Sequence, residues 1–474
     1  MAHTEPSPIE DASTGDVAAD SYHNWRRDVE IMKELGLDFY RFSIAWTRIL
    51  PTGFPDKINH LGVNYYSNLI DEMLKNNIRP VITMYHWDLP FRLQKLGGWM
   101  NPHIVTWFVD YAKVLFDKYG DRVKQWITIN EPKQICYEGY GSDAKAPMLN
   151  LLGSRVSVCQ DVLLAHAKAY HLFDEQYRKK HNGSIGISIS CTWYEPSSDT
   201  MDDKQAAIDA RQFDWGQYAH PIFSVSGDFP PEVKRNVAFK SAEQGFVRSR
   251  LPELTGKEVG LIRGSSDFFG LNTYTTKLAY RDPSLEGMYA VPSYMDDMGA
   301  VFVKDPTWPQ ASRLVLVNDL ICIKTSIFFS FAYHFLLQSV PEGFLKLLLD
   351  IKKQYDNPPV IVTENAGGLL DDDRILYYRN YLGMLIEATD RGCNIQGYSA
   401  WSLIDNFDEK FGLYEVDFSS SERTRTPRKS AFVYKEIIRS RTLDLDYEPE
   451  KYVNEMSVKD SQEVNKYDSD EDKS

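Results

Sequence analysis

Seven short runs of Val, Ile, Phe and Tyr recur along this chain, and almost all of them carry a chemically capable polar or aromatic residue at or near their end. They are DFYRFSIAW (38–46), IRPVITMYHW (78–87), VKQWITINEP (123–132), SIGISIS (184–190), DFFGLNTY (267–274), PVIVTEN (359–365) and IQGYSAWSLIDNF (395–407). Runs this continuously apolar read as strands buried on both faces. Segments with apolar positions three and four apart separate them, for example 21–37, 62–77 and 103–120. Strand alternating with helix implies parallel strands joined by helical crossovers. A doubly wound open sheet would place a glycine-rich phosphate loop after its first strand, and neither GxGxxG nor a P-loop motif is present. The expectation is therefore an α/β fold, a (β/α)8 TIM barrel. Such a barrel needs eight strands. Seven are legible and the first legible element is a helix, so the expected barrel lacks its first strand.

The strand ends hold the chemistry. Arg41 lies in the first run, His86 and Trp87 close the second, and Asn130 and Glu131 close the third. Asn272 and Tyr274 close the fifth, Glu364 the sixth, and Trp401 sits on the last. Polar groups at C-terminal strand ends are where barrel enzymes carry their active sites. Two carboxylates about 5 Å apart form the retaining glycosidase arrangement, one attacking the anomeric carbon and the other serving as acid and then base. A nucleophile must stay ionised, which Arg41 and Tyr274 would favour by charge and hydrogen bonding. The acid must hold its proton, which needs apolar walls and a like charge. Taken singly, each residue has a plainer reading. A glutamate at a strand end commonly caps or pairs, a lone histidine is commonly structural, and Trp46, Trp87, Trp126 and Trp401 could be core. The repetition on successive strands is what favours the catalytic reading.

Composition narrows the class. A net charge of −14 argues against nucleic acid and against an anionic membrane surface. Half of it lies in 443–474, with 11 acidic and 4 basic residues, which reads as an acidic disordered tail. The five cysteines (136, 159, 191, 322, 393) form no CxxC pair and give no zinc pattern; a single disulfide cannot be assigned from them. The N-terminus shows no charged region followed by an apolar one, so no signal peptide is legible and location stays open. The stretch 314–338 stands apart: from Thr325 to Pro341 there are 17 residues without Asp, Glu, Lys or Arg. That is at the short edge for a membrane span. Its run of Phe, Ser and Leu ending in Gln resembles a translated pyrimidine tract ahead of a splice site, so a retained intron is the alternative to a docked helix or an anchor.

The motifs YRFSIAWTRILPTG (40–53), MYHWDLP (84–90), WITINEP (126–132), FFGLNTYTT (268–276), VIVTEN (360–365) and GYSAWSLIDNF (397–407), with GDVAADSYH (15–23) and FGLYEVDF (411–418), resemble glycoside hydrolase family 1, the β-glucosidase family. The likeness runs from about Gly15 to Arg441, and RTRTPRKSA (423–431) resembles its insect β-glucosidases and myrosinases. The resemblance implies Glu131 as acid/base, Glu364 as nucleophile, Arg41 and Tyr274 as nucleophile support, and His86, Asn130 and Trp401 as sugar-binding residues. It implies no cofactor, a small-molecule β-glycoside as substrate and secreted full-length relatives. It leaves the oligomeric state open. Plant myrosinases carry Gln where this chain has Glu131, so an acid suited to O-glycosides is expected here, with thioglucosides as the alternative.

The chain also departs from the family. The resemblance implies an opening strand with a sugar-gripping Gln, which this sequence does not show. Ala366-Gly367-Gly368 passes quickly to LLDDDRI (369–375), and Asp408-Glu409 runs early into KFGLY where a sugar-binding Glu is expected. The expected organisation is one catalytic barrel over 1–442, with 314–338 as an insertion and 443–474 as the tail. Two open barrel edges would leave unpaired backbone groups, so poor solubility and weak turnover are expected. A vestigial sugar-binding barrel is the alternative outside catalysis.

Overall fold

The computed structural model describes residues 14–142, 144–151, 155–282, 292–309, 337–368, 370–407 and 409–450. Among these, seven parallel strands form one sheet in sequence order: β1 (Phe39–Ser43), β2 (Arg79–Tyr85), β3 (Gln125–Asn130), β4 (Ser184–Ser190), β5 (Phe269–Thr273), β6 (Val360–Asn365) and β7 (Ile395–Ala400). All the adjacent pairings are parallel. The fold is the expected (β/α) barrel, and among the described residues β1 and β7 do not pair with each other.

The predicted runs were longer than the strands they form. The first run bends out of the sheet after Ser43, and Trp46–Ile49 turns helical. The last leaves the sheet after Ala400. Both overshoots have one cause: residues just past a strand end keep apolar side chains, because the layer of helices still buries them. Short strands outside the barrel escaped the sequence reading. Trp193–Pro196, Thr276–Tyr280 and Val301–Val303 make a small separate sheet, and Tyr414–Val416 pairs antiparallel with Arg425–Pro427.

The crossover helices follow the predicted periodicity. Helix α1 (Ser21–Leu35) buries Trp25, Val29, Met32 and Leu35 on one face. Gly36, at φ 72°, ends it, with its own N–H bonding Lys33 O and the N–H of Leu37 bonding Met32 O. This is a left-handed helix stop that glycine adopts without a Cβ penalty. Helices α2 (His60–Lys75) and α3 (Ile104–Tyr119) cover β1 to β3 in the same manner.

The ring is closed at its periphery by side chains. Arg425 Nε donates to Asp28 Oδ1 at 3.0 Å, and its Nη2 donates to Ala19 O at 2.7 Å. Tyr414 donates to Glu34 at 2.9 Å, and Arg441 grips Asp38 through both oxygens at 2.6 and 2.7 Å. These contacts tie the N-terminal helix to the last hairpin and the last helix. Inside that belt, a cavity of about 600 Å³ lies between β1 and β7 and is lined by Tyr40, Arg41, His86, Tyr398 and Trp401, among others.

Two of the expected segments fall partly within the described residues. Of the expected insertion, 314–336 lies outside the described residues, but Leu337 and Gln338 are buried in the framework. Gln338 exchanges two 2.9 Å bonds with Thr275 Oγ1, its amide donates to Asp305 O at 2.7 Å, and Ser339 N donates to Pro309 O at 2.9 Å. Of the expected tail, 451–474 lies outside the described residues. The residues before it are engaged: Lys429 pairs with Glu448 at 2.7 Å and Arg379 donates to Tyr447 O. The first residues of the expected tail stay with the barrel because basic partners on neighbouring helices meet them. Asp408 lies outside the described residues. Among the described residues Cys136, Cys159, Cys191 and Cys393 are joined by no disulfide, and Cys322 lies outside the described residues.

The Asp28–Arg425 pair is almost wholly buried, at 7% and 2% side-chain exposure. Burial raises the Asp28 carboxyl above its usual range, and Arg425 opposes that rise. Removing the cation alone strands a buried acid. Arg425→Ala is expected to cost about 3–5 kcal/mol in denaturant unfolding, with Asp28→Asn recovering part of that loss in the double variant.

Candidate active site

Register brings the two glutamates to one end of the barrel. Asn272 on β5 lies opposite Glu364 on β6, and Asn130 on β3 lies opposite Ser188 on β4. Glu131 follows directly, leaving the strand with φ 48° while its N–H still bonds Ser188 O at 2.8 Å. A left-handed backbone at a non-glycine residue costs about 1 kcal/mol or more. Here it turns the carboxyl away from the course of β3. Both glutamates are buried, Glu131 at 4% and Glu364 at 3% exposure.

Their surroundings differ. Glu364 sits among groups that suit an anion: Arg41 Nη1 donates to Oε1 at 2.5 Å and the Tyr274 hydroxyl donates to Oε2. Arg41 also donates through Nε to Thr83 Oγ1 at 3.0 Å, through Nη1 to Thr363 O at 3.2 Å and through Nη2 to Asn130 Oδ1 at 2.6 Å. The Tyr274 phenol is pushed well above its usual range, first by burial and then by the Glu364 charge. It is therefore a fixed O–H donor. Glu131 receives only a neutral donor, Asn272 Nδ2 at 2.8 Å. Its carboxyl is pushed up to about 8, chiefly by burial and then by the charge of Glu364. Burial disfavours the ionised form, and a like charge nearby disfavours it further.

The remaining expected residues join the same network. Asn130 Oδ1 accepts from Arg41 and, at 3.2 Å, from Asn272. That fixes the orientation of its amide and leaves Nδ2 facing His86 Nε2 at 3.1 Å. His86 Nε2 must then be the acceptor, so the neutral ring carries its proton on Nδ1. Burial lowers the His86 pKa to about 4, which agrees with a neutral ring. Trp401 lies 6.0 Å from His86, ring to ring, in a stacked arrangement. Trp87 donates to Asn130 O at 2.9 Å. All seven expected site residues, Arg41, His86, Asn130, Glu131, Tyr274, Glu364 and Trp401, gather at one end of the barrel.

Sequence reasoning passed over the supporting layer. Asn272 was visible as a strand end but was given no place in the site, although it touches both Asn130 and Glu131. Its own Oδ1 is held by Ser188 Oγ at 2.7 Å and Thr363 Oγ1 at 2.6 Å. Asp88 accepts from the backbone N–H of His86 at 3.3 Å and of Trp46 at 3.1 Å, which braces the turn that contains Trp87 at φ 71°. The available signals were Asn272 two residues before Tyr274 on one strand and the acid directly after His86-Trp87. Among the described residues no cluster of His, Cys, Asp and Glu could hold a metal ion, and no helix is long and apolar enough to cross a membrane.

The sequence profile described as Glycosyl hydrolase family 1 matches residues 2–443. Myrosinase 1 of Brevicoryne brassicae is 40% identical over 453 residues, covering 92% of this chain and 91% of its own. A solved aphid myrosinase superposes with a TM-score of 0.82 at 40% identity, covering 92% of this chain and 91% of that one. A rice beta-glucosidase variant, solved in a covalent complex with Glc, gives a TM-score of 0.80 at 33% identity, with the same coverages of 92% and 91%.

The raised Glu131 pKa has a stability consequence with a definite sign. Between the ordinary value of 4.5 and about 8, the folded protein holds a proton that the unfolded chain has released. Stability therefore falls as pH rises through that window. Glu131→Gln lacks this penalty. Its melting temperature is expected to exceed that of the parent by about 2 °C or more at pH 7.5 and by less at pH 5, measured by scanning calorimetry.

Proposed function

The chain belongs to glycosyl hydrolase family 1 and is a glycoside hydrolase, and we propose that it cleaves β-glucosides with retention through a glycosyl-enzyme intermediate on Glu364. We read the barrel of residues 1–442 as one catalytic unit. The observation that carries the proposal is the opposed setting of two buried carboxyls. Glu364 is held by a guanidinium and a phenol, while Glu131 has only an amide donor and keeps its proton to about pH 8. A carboxyl with a charged donor beside one with none but an amide assigns the nucleophile and the acid.

In the first half-reaction a Glu364 oxygen attacks the anomeric carbon. The bond to the aglycone oxygen breaks, and Glu131 gives that oxygen its proton. Ester formation removes the charge of Glu364. One cause of the raised Glu131 pKa disappears with it, so Glu131 becomes a better proton donor and is then poised as the carboxylate that takes a proton from water. Water attacks the anomeric carbon, and Glu364 is released. The second N–H of Asn130 is directed toward the sugar, where a 2-hydroxyl contact gains strength in the transition state. His86, as a neutral ring, binds the sugar without adding a cation, and Trp401 supplies a flat apolar surface for the pyranose.

An alkoxide leaving group needs an acid more than a thiolate does, so Glu131 favours O-glycosides. The likeness to a myrosinase makes the thioglucoside the comparison to run.

A 2-deoxy-2-fluoro-β-glucoside with a good leaving group should leave a covalent adduct that maps to Glu364 by peptide mass. Folded protein with no adduct would favour the vestigial sugar-binding reading. The kcat/KM for 4-nitrophenyl β-glucoside should fall as pH rises through about 8, because the acid is competent only while protonated. Glu131→Gln should lose about 10²–10⁴-fold on substrates with poor leaving groups, and should lose that basic limb on dinitrophenyl glucosides. A limb that persists in Glu131→Gln would remove Glu131 from the role.

A further inference from the structure

Which oxygen of Glu131 carries the proton is decided by a short run of donors that begins at Arg41. A guanidinium donates and cannot accept. Asn130 Oδ1, 2.6 Å from Arg41 Nη2, is therefore an acceptor. Asn272 reaches the same oxygen at 3.2 Å, so it must present the NH2 end of its amide there. The other neighbours of Asn272 leave the matter open. Ser188 Oγ and Thr363 Oγ1 lie 2.7 and 2.6 Å from its far end and 2.7 Å from each other, and hydroxyls suit either end of an amide. With Nδ2 turned to Asn130, Oδ1 is left to accept from the hydroxyls.

An amide nitrogen carries two N–H bonds. One from Asn272 goes to Asn130 Oδ1, and the other meets Glu131 Oε1 at 2.8 Å. Among the described residues, Oε1 is the Glu131 oxygen that takes a hydrogen bond. In a neutral carboxyl the carbonyl oxygen is the better acceptor, which places the hydroxyl on Oε2. Asn272 is itself fully buried within β5, so its amide has no room to swing away.

We propose that Asn272 is a positioning residue that confines the Glu131 proton to Oε2, so that one oxygen serves first as acid and then as base. The place of the aglycone rests on the hydrolase reading. In the first step the Oε2–H bond breaks, its electron pair stays on Oε2, and the proton goes to the aglycone oxygen. Oε1 keeps the Asn272 N–H throughout, a bond that strengthens as the carboxylate forms. In the second step Oε2 takes a proton from water while the water oxygen bonds to the anomeric carbon and the bond to Glu364 breaks. Without Asn272 the carboxyl can turn over, and either oxygen can hold the proton.

The charged and titratable groups around Glu131 are Glu364 on β6, Lys145 and Glu138 beyond β3, Tyr274 after β5 and Cys191 after β4. Replacing Asn272 alters none of them. At about pH 6 Glu131 is protonated, since burial and the charge of Glu364 push its pKa up to about 8. Infrared difference spectra between the parent and Glu131→Gln at that pH isolate the C=O stretch of the Glu131 carboxyl. In the parent this carbonyl accepts an N–H bond, which lowers its frequency. Asn272→Leu has a similar shape and leaves no room for a water to stand in. It is expected to move the band to higher wavenumber. It should also move the basic limb of kcat/KM to higher pH, because a donor that favours the carboxylate is gone. A role confined to holding the strand would leave the band in place.

Neutron diffraction from the deuterium-exchanged parent at the same pH needs no variant. Deuterium is expected on Glu131 Oε2, with the Asn272 Nδ2 deuterons directed at Asn130 Oδ1 and Glu131 Oε1. Deuterium on Oε1, or a band unmoved in Asn272→Leu, would overturn the proposal. Loss of hydrolysis by the parent on 4-nitrophenyl β-glucoside would count against the hydrolase reading alone, because neither the band nor the deuterium position depends on turnover.

Discussion

One buried guanidinium makes the centre of this protein possible. Arg41 stands on β1 and donates to groups on β2, β3 and β6: Thr83, Asn130, Thr363 and Glu364. A carboxylate at 3% exposure would be prohibitive without a cation, and the cation would be equally costly without the carboxylate. Each of the other assignments descends from this pairing. The Asn130 amide is oriented by Arg41, the His86 tautomer by Asn130, and the Glu131 proton is held first by burial and then by the charge on Glu364.

The fold and the centre of the site were legible for the same reason. Strands buried on both faces must be apolar, so the polar residues at their ends stand out. Glu131, Glu364, Arg41 and Tyr274 are each such an interruption. The supporting layer was not legible, because Thr83, Ser188 and Thr363 are small and occur in strands for many reasons. Their meaning comes from register, which places Ser188 and Thr363 on either side of Asn272. The small sheet around Trp193 and Thr276 was hidden by its length, since four or five residues show too little alternation. The start of the expected tail was hidden by composition: Glu448 looks solvated until Lys429 is placed beside it.

The belt of Asp28, Glu34 and Asp38 with Arg425, Tyr414 and Arg441 shows a second division of labour. Backbone hydrogen bonds hold the sheet, while charged side chains hold the ring across its open seam. Salt hardly touches a ladder of backbone bonds, whereas it weakens the exposed Arg441–Asp38 pair and screens the buried Asp28–Arg425 pair much less, and both pairs are lost when their carboxylates are protonated in acid. The seam is thus governed by different variables from the strands on either side, even though Arg41 and Trp401 border it.

The clasp around Thr275, Asp305, Pro309 and Gln338 separates the barrel from the length of chain that runs between its ends. The polypeptide departs at Pro309 and comes back at Gln338 and Ser339, with both ends bonded to one another. The barrel sees a single knotted point, however many residues lie in between. Closing a longer loop adds only a logarithmic entropy cost, about 0.6 kcal/mol for each doubling. By that measure the length of chain between Pro309 and Gln338 weighs little on the clasp, and Tyr274, just before it, is held by bonds that do not depend on that length.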